Sequence, residues 1–139
     1  TNQAVLGILT TAAADRLRLS GNKIEGTVDA GTSTAVRIVG GDQIVIELNN
    51  IVGAYTTTLG GIQNVTTLCT NITIAENIIK NRTASSTVAI TMVSTSTGVF
   101  ANNRLVILTG TAPVVFAAGS NGGGNYFSAA DGVTAATLL

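Results

Sequence analysis

Histidine is absent from this chain, and so is tryptophan. The first absence removes the commonest general base and the commonest metal ligand. Cys69 is the single cysteine, so no disulfide can close within the chain and no cysteine-based metal site can form. Proline occurs once, at Pro113, and charged residues make up only 10% of 139 positions, against roughly 25% in an average globular chain. Seven basic residues balance seven acidic ones. A neutral chain has no long-range field to draw it to nucleic acid or to an anionic membrane. No Lys/Arg cluster is interleaved with aromatics, as nucleic-acid binders require. No apolar run approaches the roughly 18 residues of a membrane span. Neither nucleic acid nor membrane is therefore an expected partner, and no cofactor or metal is expected. The start, Thr1-Asn2-Gln3-Ala4, carries no signal-peptide pattern and no Met, which reads as a processed chain or an excised fragment of a longer one.

Against these absences stands one strong pattern. Asn22, Asn49, Asn77, Asn103 and Asn125 recur at intervals of 27, 28, 26 and 22 residues. Each is followed two residues later by Ile24, Ile51, Ile79, Leu105 or Phe127, and preceded three residues earlier by Leu19, Ile46, Ile74, Phe100 or Gly122. Two residues before that lie Leu17, Ile44, Ile72 and Gly98. Apolar residues two apart mark a strand with one buried face. Further upstream, Val36 and Ile38 match Ile90 and Met92, and also Val114 and Phe116. Each repeat thus holds three short strands, with Gly/Thr/Ser-rich loops at 26–34 and 55–63. In one repeat the frame places Asn64 and Thr66 inward, although Val65 and Leu68 are better core residues. A one-residue bulge or register shift within 63–70 is the expected cause.

Three strands per repeat of 22–28 residues predict an all-β coil of parallel strands. The same column then stacks on itself every ~4.8 Å along the axis. A column of asparagines fits such a stack: Asn tolerates the left-handed backbone of a sharp corner, and its amide can bond to the copies above and below. The expected domain is a single one spanning 1–139, with about five rungs.

The segments Leu17-Arg18-Leu19-Ser20-Gly21-Asn22-Lys23-Ile24, Ile44-Val45-Ile46-Glu47-Leu48-Asn49-Asn50-Ile51 and Ile72-Thr73-Ile74-Ala75-Glu76-Asn77-Ile78-Ile79 carry a resemblance to a known family. They resemble rungs of the right-handed parallel β-helix of the pectin-lyase-like superfamily. The resemblance implies a right-handed β-helix with an asparagine ladder. It implies no single activity, because that superfamily holds pectate and pectin lyases, polygalacturonases, alginate epimerases, phage tailspikes and adhesins.

The family's enzymes cluster Asp, Arg or Lys on an outer strand face, often with Ca²⁺. The nearest candidate here is Asp15 with Asp42, in one column seven residues before Asn22 and Asn49, beside Arg16 and Arg18. One rung apart, their carboxylates would lie near the ~5 Å of a retaining glycosidase. The competing reading is a corner where Asp holds a turn; the column continues as Thr70, Ser96 and Ala118, so the acids do not extend. Glu25, Asp29, Glu47, Glu76 and Asp131 are dispersed, and Lys23 and Arg104 share a column with Asn50 and Ile78 between them. Gly119-Ser120-Asn121-Gly122-Gly123-Gly124 lacks the Lys-Ser/Thr of a phosphate loop. The sequons at Asn64, Asn71 and Asn81 match chance in a chain this rich in Asn, Ser and Thr. Phe100, Phe116 and Phe127 fall in inward columns and read as core, and Tyr55 and Tyr126 are too scattered for a stacking platform.

The outward positions are more telling. Arg37, Thr91 and Val115 alternate with the inward pairs, Ala35, Ala89 and Pro113 precede them, and Val45 and Val99 also face out. A strand face so low in charge suits burial between copies of the chain, and Pro113 marks a place where the ladder can spare a donor. The N-terminal Ala4-Val5-Leu6-Gly7-Ile8-Leu9 reads as a strand, and the tail 129–139 as a cover for the last rung. The expected function is a non-catalytic structural or attachment module of the phage or prophage tailspike type. Its expected partners are two further copies in a trimer and, as a candidate ligand, a cell-surface polysaccharide. The expected location is a virion or the extracellular space. The alternatives are a polysaccharide-active lyase, hydrolase or epimerase using Asp15, Asp42, Arg16 and Arg18, and a bacterial surface adhesin or stalk segment.

Overall fold

The computed structural model describes residues 7–26, 34–53, 60–64, 67–82, 88–93, 95–107, 114–116, 118–129 and 137–138. These form short strands and no helix. The first level holds β1 (Ile8–Leu9), β2 (Arg18–Ser20) and β3 (Lys23–Gly26). The second holds β4 (Val36–Ile38), β5 (Gly41–Asp42), β6 (Val45–Glu47) and β7 (Asn50–Gly53). The third holds β8 (Ile62–Asn64), β9 (Cys69–Thr70), β10 (Ile72–Ala75) and β11 (Ile78–Asn81). The fourth holds β12 (Ile90–Thr91), β13 (Thr97–Ala101) and β14 (Arg104–Ile107). The last holds β15 (Val114–Val115), β16 (Ala118–Asn121) and β17 (Tyr126–Ala129), followed by β18 (Thr137–Leu138).

Corresponding strands pair in parallel, level upon level, into three sheets: β1-β4-β8-β12-β15 (sheet A), β2-β6-β10-β13-β16 (sheet B) and β3-β7-β11-β14-β17 (sheet C). The chain is therefore a parallel β-solenoid, as the repeat predicts. The expected five rungs amount to about three complete turns. Only the levels of β4, β8 and β12 have a further level on both sides, while the outer two end the stack. Burial shows the difference: Ile8, Leu17, Leu19, Val114 and Phe127 on the outer levels are only partly covered. On sheet C, β18 runs antiparallel along β17, pairing Tyr126 with Leu138 and Phe127 with Thr137. Part of the tail thus covers the last strand's edge, as expected.

The core is a stack of isoleucines. Ten of the eleven largest fully buried side chains among the described residues are Ile, and the other is Leu105. β-Branched side chains are stiff and fit a pleated surface, so equal side chains superpose from level to level. Phe100 and Phe116 fill the C-terminal part of the same core, with ring centroids 6.4 Å apart. Opposite the Ile24–Ile51–Ile79 column lies a column of small residues: Gly7, Ala35, Gly61 and Ala89. A Cβ on Gly61 would stand 2.7 Å from Ile79 Cγ2 and 3.2 Å from Ile51 Cγ2, and one on Gly7 would stand 2.6 Å from Ile24 Cγ2. Ala35 and Ala89, expected on the outer face, are fully buried for this reason. Pro113 lies outside the described residues.

Register departs from the sequence frame at two places. Ile38 pairs with Asn64, an offset of 26, whereas Gly41 pairs with Cys69, an offset of 28. The third level therefore carries two extra residues between Asn64 and Cys69, not the single one expected. A two-residue insertion keeps the inward and outward alternation on both sides of it. Ile62 and Gln63, expected in a loop, begin the strand, and Leu68, expected in the core, is 41% exposed. Val65 and Thr66 lie outside the described residues. At the last level the frame slips by one: Thr97 pairs with Ala118 and Phe100 with Asn121. Asn121, not Gly122, thus continues the column of Leu19, Ile46, Ile74 and Phe100.

Candidate functional site: two polar corners and one outer face

Between sheets B and C the asparagine ladder is continuous. Asn49 Nδ2 donates to Asn77 Oδ1 at 2.9 Å, Asn77 Nδ2 to Asn103 Oδ1 at 3.0 Å, and Asn103 Nδ2 to Asn125 Oδ1 at 3.0 Å. Asn22 Nδ2 donates to Asn49 Oδ1 at 2.9 Å. Each of these oxygens also accepts the backbone N–H of the preceding asparagine, at 2.9–3.1 Å. The second proton of each interior amide goes back to a carbonyl of the level before: Asn49 to Leu19, Asn77 to Ile46 and Asn103 to Ile74. Every interior amide makes two donations and two acceptances, so a buried polar column carries no unsatisfied group. At the last level no further asparagine follows. There Asn125 Nδ2 donates to Asn121 Oδ1 at 2.9 Å and to Phe100 O at 3.2 Å. This explains an asparagine at an otherwise apolar column position.

The left-handed backbone of this corner belongs to the residue before the asparagine rather than to the asparagine. Leu48, Glu76 and Asn102 have φ of 56°, 55° and 53°, and Gly21 and Gly124 occupy the same position at 70° and 69°. Sequence reasoning assigned that conformation to Asn22, Asn49, Asn77, Asn103 and Asn125. The ladder asparagine is instead selected for its amide.

The corner between sheets A and B contains the candidate acids. Asp15 and Asp42 do sit at adjacent levels, but Asp15 Oδ1 accepts the backbone N–H of Asp42 at 3.0 Å. Asp42 Oδ1 in turn accepts Thr70 Oγ1 at 2.5 Å and Asn71 Nδ2 at 2.8 Å. The Thr70 bond first and the Asn71 bond next, helped by the Gln43 backbone N–H, hold the Asp42 carboxyl below the ordinary carboxylate range against an opposing desolvation. A carboxylate so stabilised is a poor general base near neutrality. Arg18 does not join the pair: its guanidinium donates to the Glu47 carboxylate, which Ser20 Oγ also reaches. Arg18 accordingly is the first cause of the lowered Glu47 pKa. Arg16 lies on an exposed turn at φ 56°, a backbone position shared by Gln43 at 55° and Asn71 at 54°. Of the four candidates, Asp15 and Asp42 thus bind donors within this corner, and Arg18 turns to Glu47.

One level further on, the same corner is built differently. Asn64 takes the inward place between Ile38 and Met92 and is 3% exposed. Its Oδ1 accepts Val93 N at 3.0 Å and Ser96 Oγ at 3.1 Å. Its Nδ2 donates to Thr67 O at 2.6 Å and Val39 O at 3.2 Å. Ser96 Oγ also accepts Cys69 N at 2.9 Å. Cys69 is buried, and that burial pushes its thiol up to about 11, so little thiolate exists at neutral pH. Among the described residues no three Asp, Glu or Cys side chains gather at metal-binding distance.

The outer face of sheet C carries a further row of exposed side chains. Register aligns Lys23, Asn50, Ile78, Arg104 and Tyr126 in one exposed column, and Lys80 lies two residues beyond Ile78 on the same side. Lys23 pairs with Glu25 at 3.2 Å. Lys80, Arg82 and Arg104 make no ion pair among the described residues. The overall neutrality thus conceals a cationic face, which the sequence showed only as charges separated by whole repeats. Asp29 and Asp131 lie outside the described residues. The chain matches no family model, no curated protein and no solved structure.

Proposed function

We propose that this solenoid is a non-catalytic structural or attachment module of the phage or prophage tailspike type, acting as a homotrimer on a virion or outside the cell. The supporting observation is how three of the acids are used. Asp15, Asp42 and Glu47 all bind protein donors across neighbouring levels. Side chains spent on inter-level bonds hold a shaft together and are not poised to react. The weakly charged faces, with Val99 and Val115 about two-fifths exposed, suit contact with other copies. Sedimentation at micromolar concentration should return about three times the 14.0 kDa chain mass; a monomer would overturn the trimer.

The second reading is a pectin-lyase-like enzyme acting on polysaccharide through Asp15, Asp42, Arg16 and Arg18. Its one favourable observation is the adjacency of the two aspartates. Incubation with acidic polysaccharides, with and without Ca²⁺, should release no product. Turnover that Asp42→Asn abolishes would replace the structural reading with the enzymatic one. A stalk segment of a surface adhesin is the third reading, and gene neighbourhood separates it from a virion part.

A further inference from the structure

We infer that the outer face of sheet C is a binding site for a linear anionic glycan, one carrying carboxylate or sulfate groups. The inference rests on the attachment reading and supplies its ligand class. Strand register makes the site. Arg104 pairs with Tyr126 on one side and Ile78 on the other, so the three are nearest neighbours across β17, β14 and β11. Lys80 pairs with Val106, which sets it diagonally from Arg104 at about 8 Å, from a strand spacing near 4.8 Å and two residues of rise. Arg82 follows on the same segment and is exposed.

Three facts favour an external anion. Among the described residues Lys80, Arg82 and Arg104 have no carboxylate partner, and Glu25 on the same face is held by Lys23 at the far end. Of the acids elsewhere, Glu47 is engaged by Arg18 and Asp42 by Thr70 and Asn71, and the exposed Glu76 makes no ion pair with any of the three cations. Tyr126 is 54% exposed beside Arg104 and Ile78 is 43% exposed, an arrangement that leaves an aromatic and an aliphatic surface next to a cation.

A glycan uses all of these groups. The Tyr126 ring offers a flat apolar surface to the C–H face of a sugar and a hydroxyl at its rim. The Arg104 fork matches a carboxylate or sulfate bidentately, and Lys80 supplies a second point charge further along. Asn50, exposed in the same column, adds an uncharged donor and acceptor for hydroxyls. Nucleic acid fits less well, because three unpaired cations neutralise few phosphates.

The test titrates the full chain with heparin and with polygalacturonate, using dextran as the neutral control and a short DNA duplex as the competing anion. The wild type should bind heparin, polygalacturonate or both, and should not bind dextran. Binding to polygalacturonate shows that carboxylate suffices, whereas binding to heparin alone shows that sulfate is needed. Lys80→Glu with Arg104→Glu should weaken binding at least tenfold and Tyr126→Ser about tenfold, with circular dichroism unchanged. Arg37→Glu, on sheet A, should leave binding unaltered. No binding to either glycan, an equal loss with Arg37→Glu, or preference for the duplex over both glycans would overturn the site. Binding accompanied by shortening of the glycan leaves the site standing and defeats the non-catalytic reading. A trimer that binds neither glycan does the converse.

Discussion

The two polar corners of the solenoid solve one problem in opposite ways. Between sheets B and C the same residue recurs at every level, and each amide is both ceiling and floor for its neighbours. Between sheets A and B no residue type persists. Thr10 accepts Val39 N, Asp15 accepts Asp42 N, Asp42 accepts Thr70 and Asn71, and Asn64 gathers Val39, Thr67, Val93 and Ser96. Spacing accounts for the difference. From Asn22 to Asn103 the ladder corner keeps its geometry level by level, whereas the other corner absorbs the two-residue insertion of the third level. A repeated side chain can form a ladder only where its repeats stack in step. Where chain length varies, each level must find its own donors.

Breaking the ladder at its middle should have the largest effect. Asn77→Ala strips the partners from Asn49, Asn103 and the Ile46 carbonyl, all in a buried setting, and should cost about 4 kcal/mol. Urea denaturation measures it, with Asn22→Ala at the half-buried end as the reference, expected near 1 kcal/mol. Equal losses at the two positions would mean that the column is not acting as a ladder.

Next comes the irregular corner. Asn64→Ala leaves Val93 N and the Thr67 carbonyl without their partner and should cost about 2–3 kcal/mol. Because Ser96 shares the same network, Asn64→Ala with Ser96→Ala should cost less than the sum of the two single changes. Strict additivity would show that the two act apart.

Acid should act on the irregular corner through Asp42. Its carboxyl titrates lower in the folded chain than in the unfolded one. Its stabilising contribution is therefore complete above the unfolded value and is lost as pH falls through the folded one. Asp42→Asn should flatten the decline in thermal stability on acidification. An unchanged decline would assign it to other groups, Glu47 first.

The smallest effect sharpens the ladder corner. Leu48 is 54% exposed and holds a left-handed backbone where the first and last levels use glycine. Leu48→Gly should raise stability by about 0.5 kcal/mol, since relief of strain slightly exceeds the entropy glycine adds to the unfolded chain. A loss of stability would show that Leu48 is held by contacts rather than tolerated.

Much of this was legible in advance. The asparagine frame reveals the ladder, the three strands per repeat and the inward Phe100, Phe116 and Phe127. What escaped was geometry without a compositional mark. Leu48 and Glu76 adopt positive φ although neither residue type signals it. Gly7, Ala35, Gly61 and Ala89 are small because isoleucines from the facing sheet reach them, which is a long-range cause, although their common spacing was a usable signal. The frame puts Gly122 in the inward column instead of Asn121, because the last level slips by one residue. Asp15 and Asp42 fell in the expected column, but the direction of their carboxylates, toward backbone and neighbouring side chains, is decided by the level stacked against them.

The sequence by itself determined that this chain coils, which residues superpose, and which column carries the amides. Those follow from a period, and a period is a property of the chain alone. Tertiary structure decided the register of the third and last levels, the small-residue column, and the neighbourhood of Lys80, Arg104 and Tyr126. Residues some 22–28 positions apart became neighbours only when strands closed at hydrogen-bonding distance. That distance is set by packing between levels and is written in no single repeat.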